Sequence, residues 1–457
     1  MKTNFNNSKA NLVKFAFIGE SDNTFFKGEK SVIYPVLDSD EILLGLGDKE
    51  KFNLDVLKEA VYALGRYLIG KDINEISFEK NRFDLSNEDY ALGIVEALKV
   101  SQYVFDHYKK EKKELNLKTV NLVEEYSNLE SKVNELLNVL DAQFFARDLV
   151  NLRSNDIYPE TLANKANERL SELGIEVKIY EEDEIREMGL TAFLEVARGS
   201  ANKPRLIVME YMNGGDEKPL VFVGKGVTYD TGGYSLKPTT GMLTMNCDMG
   251  GSATVIGAME AIAKNKIKTN VVAIVAACEN SISGNAYKPG DIIKARNGMS
   301  IDIANTDAEG RLTLADAVNY GVDTYKPSMI IDLATLTGAV LIALGETYTG
   351  VVTNNQEAFD LVQKAANEAN EKIWQLPNDD FIRTYNKSDD ADIKNSGGRY
   401  AGSVTAGQFI EAFVEDYPWV HLDIAGTAYL SAPQGLNQKG ATGVHVKTLY
   451  NLAKNNQ

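Results

Sequence analysis

The sequence predicts an α/β protein of two domains: a smaller N-terminal α/β domain, then a C-terminal domain with a mainly parallel central sheet flanked by helices. Three observations carry this expectation. At 457 residues the chain exceeds what a single hydrophobic core usually supports. From about residue 150 onward, short apolar runs alternate with amphipathic ones in a strand-helix-strand rhythm. The composition, 44% hydrophobic and 25% charged, is that of a globular protein, and the chain has no internal repeat or low-complexity tract.

In chain order, Leu12–Ile18 and Ser31–Val36 read as strands. Leu54–Leu68 and Glu88–Tyr108 carry apolar residues at three- and four-residue spacing, as half-buried helices do. The charged run KKEKKELNLK, residues 109–118, reads as a solvated loop or helix end. Helical periodicity returns over Asn128–Leu152, so we expect an N-terminal domain over 1–127, a connecting helix over 128–150 and a second domain over 151–457. In that second domain the strand candidates are Ile175–Tyr180, Arg205–Met209, Leu220–Val223, Asn270–Ala277 and Met329–Leu333. Helix candidates between them are Pro159–Leu173, Ser252–Lys264 and Leu312–Thr324. In sheets of this kind, ligands sit beyond the carboxyl ends of the strands.

Charge and residue supply exclude several chemistries. A formal net charge of -17 argues against a general nucleic-acid surface, which needs lysine and arginine in excess. Two distant cysteines, Cys247 and Cys278, make no disulfide framework and point to the reducing cytoplasm. The N-terminal residues lack the apolar core of a signal peptide, and the longest apolar stretch, Met329 to Leu344, is broken by Asp332, Thr335 and Thr337, so no membrane span is expected. His107, His421 and His445 are the only histidines, and none neighbours another ligand at zinc spacing, which disfavours a His-rich zinc site and a Ser-His-Asp hydrolase. Hydrolytic chemistry would have to come from carboxylates and lysines.

Three segments could supply them. VGKGVTYDTGGYSLKP, residues 223–238, leaves a strand and carries four glycines, two lysines and one acid. It fails as a phosphate-binding loop, because Pro219 stands where the first glycine is needed and Gly226 where a Ser or Thr should follow Lys225. It fails as a dinucleotide fingerprint because Tyr229 replaces the third glycine. Its glycines fit tight turns that approach a bound group, or equally a glycine-rich surface loop. MNCDMGGSA, residues 245–253, places Asp248 before a helix start, where an acid can simply favour the helix dipole. RNGMSIDIANTDAEGRL, residues 296–312, begins with the hairpin signal Asn297-Gly298. If extended, it would put Asp307 and Glu309 on one side, where two carboxylates repel unless a cation or a proton intervenes. A solvated acidic turn paired with Arg311 would explain the same residues. Taken together, the segments follow predicted strands and offer Asp230, Asp248, Asp307 and Glu309, enough oxygen ligands for two ions about 3.5–4 Å apart.

These segments resemble the signatures of the leucyl aminopeptidase (cytosol aminopeptidase) family, peptidase family M17. The resemblance continues through DLATLTGA (332–339), HLDIAG (421–426) and GATG (440–443), while the first ~145 residues show no usable motif. It implies a metal-dependent exopeptidase that releases N-terminal Leu and other, mainly hydrophobic, residues by a two-metal-activated hydroxide. Asp230 and Glu309 would bridge the metals, Asp307 would hold one ion, and Lys225, as a neutral amine, and Asp248 would complete the other. Lys237 would polarise the scissile carbonyl, and Arg311 would hold a bicarbonate acting as general base. Met245, Asn305, Thr335 and Gly338 would line the first side-chain pocket or hold the substrate backbone; a helix cap and a packing residue are the alternatives for Thr335 and Gly338. Mn²⁺ or Zn²⁺, or else Mg²⁺ or Co²⁺, would be the metals, and the assembly a cytoplasmic homohexamer acting on peptides with a free N-terminus.

Two positions depart from the family pattern: Asn246 stands at a usual Lys or Arg, and Arg153 at a usual proline. His421 falls in a matching segment and reads as a buried structural histidine. Two other functions compete: a two-metal phosphoesterase, since carboxylate clusters also suit Mg²⁺ and phosphate, and a non-catalytic nucleic-acid or surface binding role.

Overall fold

The structure is a computed structural model that describes residues 1–37 and 39–456. The chain divides into two compact units, Met1–Asp141 with Pro433–Gln438, and Ala142–Ala432 with Lys439–Gln457. The division falls within the helix Glu130–Asn151.

The first unit holds a six-stranded sheet in the order Lys2–Phe5, Thr119–Leu122, Glu75–Phe78, Leu12–Phe17, Glu41–Gly47, Ile33–Pro35, parallel throughout except for its last pairing. The helix Leu54–Leu68 begins where expected because the Asn53 side chain accepts the Val56 N–H, and its buried stripe includes Leu57, Ala60, Val61, Leu64 and Leu68. The next helix runs Asn87–Ser101 and stops well short of Tyr108. Its apolar pattern continues beyond that point, but the chain leaves the helix: Arg66 Nη1 donates to the carbonyls of Ser101 (2.9 Å) and Tyr103 (3.1 Å), satisfying groups that further helical turns would have used. Phe105 and Tyr108 then pack edge to face.

The second unit is built on an eight-stranded mixed sheet. Its order is Ile373–Gln375, Thr349–Thr353, Trp419–Asp423, Met329–Ala334, Leu220–Asp230, Asn270–Asn280, Arg205–Met212, Glu176–Tyr180. The four central strands, from Trp419–Asp423 to Asn270–Asn280, are parallel, and antiparallel pairings flank them. These strands are buried on both faces, which is why they read as continuous apolar runs and not as alternating ones. Helices Gly250–Lys264 and Gly310–Tyr325 are buried along most of their length, so their hydrophobic periodicity is weak in the sequence. No helix among the described residues is long and apolar enough to cross a membrane.

One strand differs from its expectation in a way that matters. Leu220–Asp230 continues through GKGVTYD, so Gly224 and Gly226 lie in regular strand and not in a turn. Their lack of a side chain serves packing: a Cβ on Gly224 would lie 2.6 Å from the Gly251 carbonyl oxygen, and one on Gly226 2.7 Å from Val275 Cγ1. The turn comes later, at Gly232 and Gly233, whose φ angles are +83° and +61°.

Candidate active site

All four parallel strands end on the same side of the sheet: Met329–Ala334 and Trp419–Asp423 stop level with Lys225, and Leu220–Asp230 and Asn270–Asn280 run on together. Leu220–Asp230 carries Lys225 and ends in Asp230; its neighbours end in Asn280, Ala334 and Asp423. The Gly232–Gly233 turn returns the chain so that Lys237 N–H donates to the Thr231 carbonyl at 3.0 Å, which brings the Lys237 side chain back over Asp230. Asp248 enters from the 3₁₀ turn Met245–Met249 that precedes the helix Gly250–Lys264. Asp307 and Glu309 enter from the loop before the helix Gly310–Tyr325.

That loop is not extended. Asn305 Oδ1 accepts the Asp307 N–H at 2.8 Å, folding residues 305–308 into a turn closed by an Ala308 N–H to Asn305 carbonyl bond of 3.3 Å. Asp307 and Glu309 therefore share a side through a turn and not through strand alternation. Among the described residues, Asp230, Asp307 and Glu309 form the group with metal-binding potential: each offers an oxygen, and all lie within 4.8 Å of one another. The glycine of NTDAEGRL also has a role here, since a Cβ on Gly310 would sit 2.7 Å from Lys225 Nζ.

The two lysines lie among the acids. Lys225 Nζ is 2.8 Å from Asp248 Oδ2, 2.7 Å from Glu309 Oε1 and 3.2 Å from the Thr335 carbonyl. Lys237 Nζ is 2.8 Å from Asp230 Oδ2 and also contacts Asp307 Oδ1. Burial alone would favour a neutral Lys225, but Asp248, Glu309 and Asp230 outweigh it and hold its pKa above the ordinary lysine value. Lys237 is raised for the same reason, its burial outweighed first by Asp230 and Glu309. Burial and the charge of Glu309 push Asp230 up to about 7, and burial raises Asp248 and Asp307 as well. At Glu309 the two lysines outweigh burial and hold the carboxyl below its usual range.

The acids are nevertheless under-served. Four carboxylates meet two ammonium groups, and Asp248 Oδ2, Asp307 Oδ1 and Glu309 Oε1 have ion-pair contacts but no aligned hydrogen bond. Clustered carboxylates in excess over the nearby cations are the donor set that hard or borderline dications take up. The residues present fit a divalent-metal site on that ground.

Arg311 stands apart from the acids. It makes no ion pair with Asp307 or Glu309; its Nη1 donates to the Asn395 carbonyl at 2.8 Å, its Nε has no partner, and burial lowers its pKa to about 10. Thr335 Oγ1 donates to Asp248 Oδ1 at 2.8 Å, and the cap of helix Gly338–Leu344 is Thr337, not Thr335. A Cβ on Gly338 would meet nothing within 4 Å, so no packing demand explains this glycine. Met245 and Asn305 are half-buried beside Asp248 and Asp307 in sequence. The two departures from the family pattern touch each other: Arg153 Nη1 donates to Asn246 Oδ1 at 3.1 Å, while Asn246 Nδ2 donates to the carbonyls of Val150 and Leu152. His421 is fully buried, with Nδ1 2.6 Å from Asp332 Oδ1.

Two residues of the site are not singled out by the sequence reading. Asn280 Nδ2 donates to Asp230 Oδ1 (2.8 Å) and to the Thr306 carbonyl (3.0 Å), tying two of the acid-bearing segments together. Asp423 accepts the Leu336 and Thr337 N–H groups and the Thr337 hydroxyl, anchoring the segment that carries Thr335 and Gly338. The sequence signal for either is a polar residue at the end of a mainly apolar strand.

Residues 144–450 match the model of the cytosol aminopeptidase family, catalytic domain, and residues 27–112 that of the N-terminal domain of the same family. The chain belongs to the cytosol aminopeptidase family. It is 48% identical over 449 residues to a protein of Clostridium tetani named "Probable cytosol aminopeptidase", covering 96% of this chain and 93% of that one. A protein of the same name from Treponema denticola is 45% identical, with 94% and 92% covered. Among solved structures, the bottromycin maturation enzyme BotP in complex with Mn superposes with a TM-score of 0.89 at 28% identity, covering 98% of this chain and 99% of that chain. Family membership makes the chain a hydrolase of the metallo-exopeptidase class and confirms the two-domain α/β expectation.

Proposed function

We propose that this aminopeptidase releases N-terminal Leu and other, mainly hydrophobic, residues from peptides at a two-metal centre. The observation that carries the proposal is the Asp230–Asp307–Glu309 group, flanked by Asp248 and two lysines, in which four carboxylates face two ammonium groups. Asp230, Asp307 and Glu309, with Asp248 and Lys225 beside them, would hold the ions. Lys225 would join as a neutral amine, its proton displaced by the field of the dications. Bound ions supply Lewis acidity toward the scissile carbonyl and a water acidified enough to attack at neutral pH.

The remaining steps belong to the chain's own groups. Lys237, held protonated by its acids, polarises the carbonyl oxygen and stabilises the charge that develops there. Arg311, whose Nε has no hydrogen-bond partner, would hold bicarbonate or a similar anion, which would supply a general base. Met245, Asn305, Thr335 and Gly338 receive the first side chain and the substrate backbone. Thr335 couples that role to the centre, since its hydroxyl and carbonyl bind Asp248 and Lys225. Mn²⁺ or Zn²⁺ suits this mixed donor set, Mg²⁺ and Co²⁺ being the other candidates; the Mn of BotP supports manganese. The same reading places the enzyme in the cytoplasm as a homohexamer, and the free cysteines Cys247 and Cys278 support a reducing compartment.

Leu-p-nitroanilide tests the proposal. Hydrolysis is expected, lost with chelator and restored by Mn²⁺ or Zn²⁺. Cleavage of the N-acetylated substrate at a similar rate would overturn it.

A further inference from the structure

The loop that carries Asp307 and Glu309 has few backbone bonds of its own, so something else must hold its shape. The strand Ile393–Lys394 pairs in parallel with Ser300–Asp302, and Asn395 N–H continues the ladder to the Asp302 carbonyl at 2.9 Å. This delivers a fully buried asparagine to the inner side of the loop. Its Oδ1 accepts the N–H groups of Ala304 (2.9 Å) and Asn305 (3.2 Å). Its Nδ2 donates to the carbonyls of Asn305 (2.7 Å) and Ala308 (3.3 Å). Its own backbone carbonyl accepts Arg311 Nη1 at 2.8 Å.

We propose that Asn395 is a positioning residue of the reaction: its amide shapes the Asn305–Ala308 turn that presents Asp307 and Glu309, and its carbonyl aims Arg311. The proposal rests on the reading of those three residues as metal ligands and anion holder. The chemistry singles out a primary carboxamide. Two N–H groups need an acceptor and two carbonyls need donors within one short side chain, and only asparagine supplies both at this length. Aspartate would turn both donor contacts into acceptor–acceptor repulsion; serine has a single hydrogen to give. Arg311 has no ion-pair partner among the described residues, so the Asn395 carbonyl is what orients a guanidinium whose Nε is left open.

The test compares Asn395→Ala, Asn395→Ser and Asn395→Asp with a control, Asn386→Ala. Asn386 is also buried and bonded in the same stretch of chain, to the Thr405 carbonyl, but makes no hydrogen bond to the Asp307 loop. Mn²⁺ binding is measured by calorimetry, and kcat and KM on Leu-p-nitroanilide. In each Asn395 variant, Mn²⁺ affinity and kcat are expected to fall ~10–100-fold, the usual effect of losing a partner that orients metal ligands, with KM nearly unchanged. The control is expected to lose stability but keep wild-type Mn²⁺ affinity. A folded Asn395 variant with wild-type Mn²⁺ affinity and kcat would overturn the proposal, as would full activity in the isosteric aspartate. So would failure of all three to fold while the control folds, since Asn395 would then be a folding residue. If the wild type binds Mn²⁺ but cleaves no aminoacyl anilide, the functional reading fails and the affinity comparison still decides this one. If the wild type binds no Mn²⁺, both fall.

Discussion

Replacing Asp332 by asparagine should destabilise the second unit by ~3–5 kcal/mol, the cost of breaking a buried charged pair by removing one partner. Asp332 lies in the middle of the sheet, fully buried, with Oδ2 2.6 Å from Trp419 Nε1 and Oδ1 2.6 Å from His421 Nδ1. An asparagine has one acceptor for these two donors, so its NH₂ must face either the indole or the imidazole N–H. The variant loses one charge-assisted bond, leaves one buried donor unmet, and removes the anion opposite His421. Burial lowers the pKa of His421, but the Asp332 carboxylate outweighs it and holds the pKa above the ordinary histidine value. A group raised in this way contributes stability that is fully present below its unfolded pKa of about 6.5 and is lost as pH rises through the folded value. The penalty of the asparagine variant should therefore be larger at pH 6 than at pH 9. Urea unfolding followed by tryptophan fluorescence reads it directly. The chain has two tryptophans; Trp374 is 59% exposed, and the other, Trp419, is the fully buried residue bonded to Asp332. A penalty below ~1 kcal/mol, within the net worth of one ordinary hydrogen bond, or one that grows with pH, would refute the argument.

Three further outcomes follow from the geometry. Lys237→Ala should lower kcat on Leu-p-nitroanilide by ~10²–10³-fold, the cost of removing one donor to a developing oxyanion, with the fold intact by circular dichroism. Asp423→Ala, which frees the Leu336 and Thr337 amides and the Thr337 hydroxyl, should raise KM and cost ~1–3 kcal/mol for each buried group left unsatisfied, read by steady-state kinetics and urea midpoint. Gly251→Ala should be among the most destabilising single methyl additions, ~3 kcal/mol or more, because the new Cβ would lie 2.0 Å from the Leu333 carbonyl oxygen and neither backbone can yield; a melt within two or three degrees of wild type would show that the helix start can shift.

What the sequence discloses and what it hides divide along physical lines. Helix Leu54–Leu68 is legible to the residue because an amphipathic stripe and an asparagine cap are local facts. The central strands are legible as apolar runs, but their ends are not: in Leu220–Asp230 the glycines that resemble a turn are demanded by what packs on them, the helix start at Gly251 on Gly224 and the neighbouring strand at Val275 on Gly226. The helix over residues 87–101 is over-read because its periodicity persists after Arg66, a residue 35 positions earlier, has taken the terminal carbonyl.

The candidate centre follows the same rule. Lys225, Asp230, Lys237, Asp248, Asp307 and Glu309 stand out as charged residues in glycine-containing segments that follow or leave apolar strands, and the structure brings them together. The groups that hold them do not stand out. Asn280 meets Asp230 from 50 residues away, Asn395 meets Arg311 from 84, and Asp423 meets Leu336 from 87. A single buried amide or acid has no spacing to its partners, and its role exists only once the parallel strands have set their ends side by side. The same holds for Arg153 and Asn246, which in the sequence are two separate departures and in the structure are one contact. Arg153 brings a cation from another segment to the position two residues before Asp248, so the pair is best changed together: Arg153→Ala should weaken Mn²⁺ binding, and Arg153→Ala with Asn246→Lys should restore it.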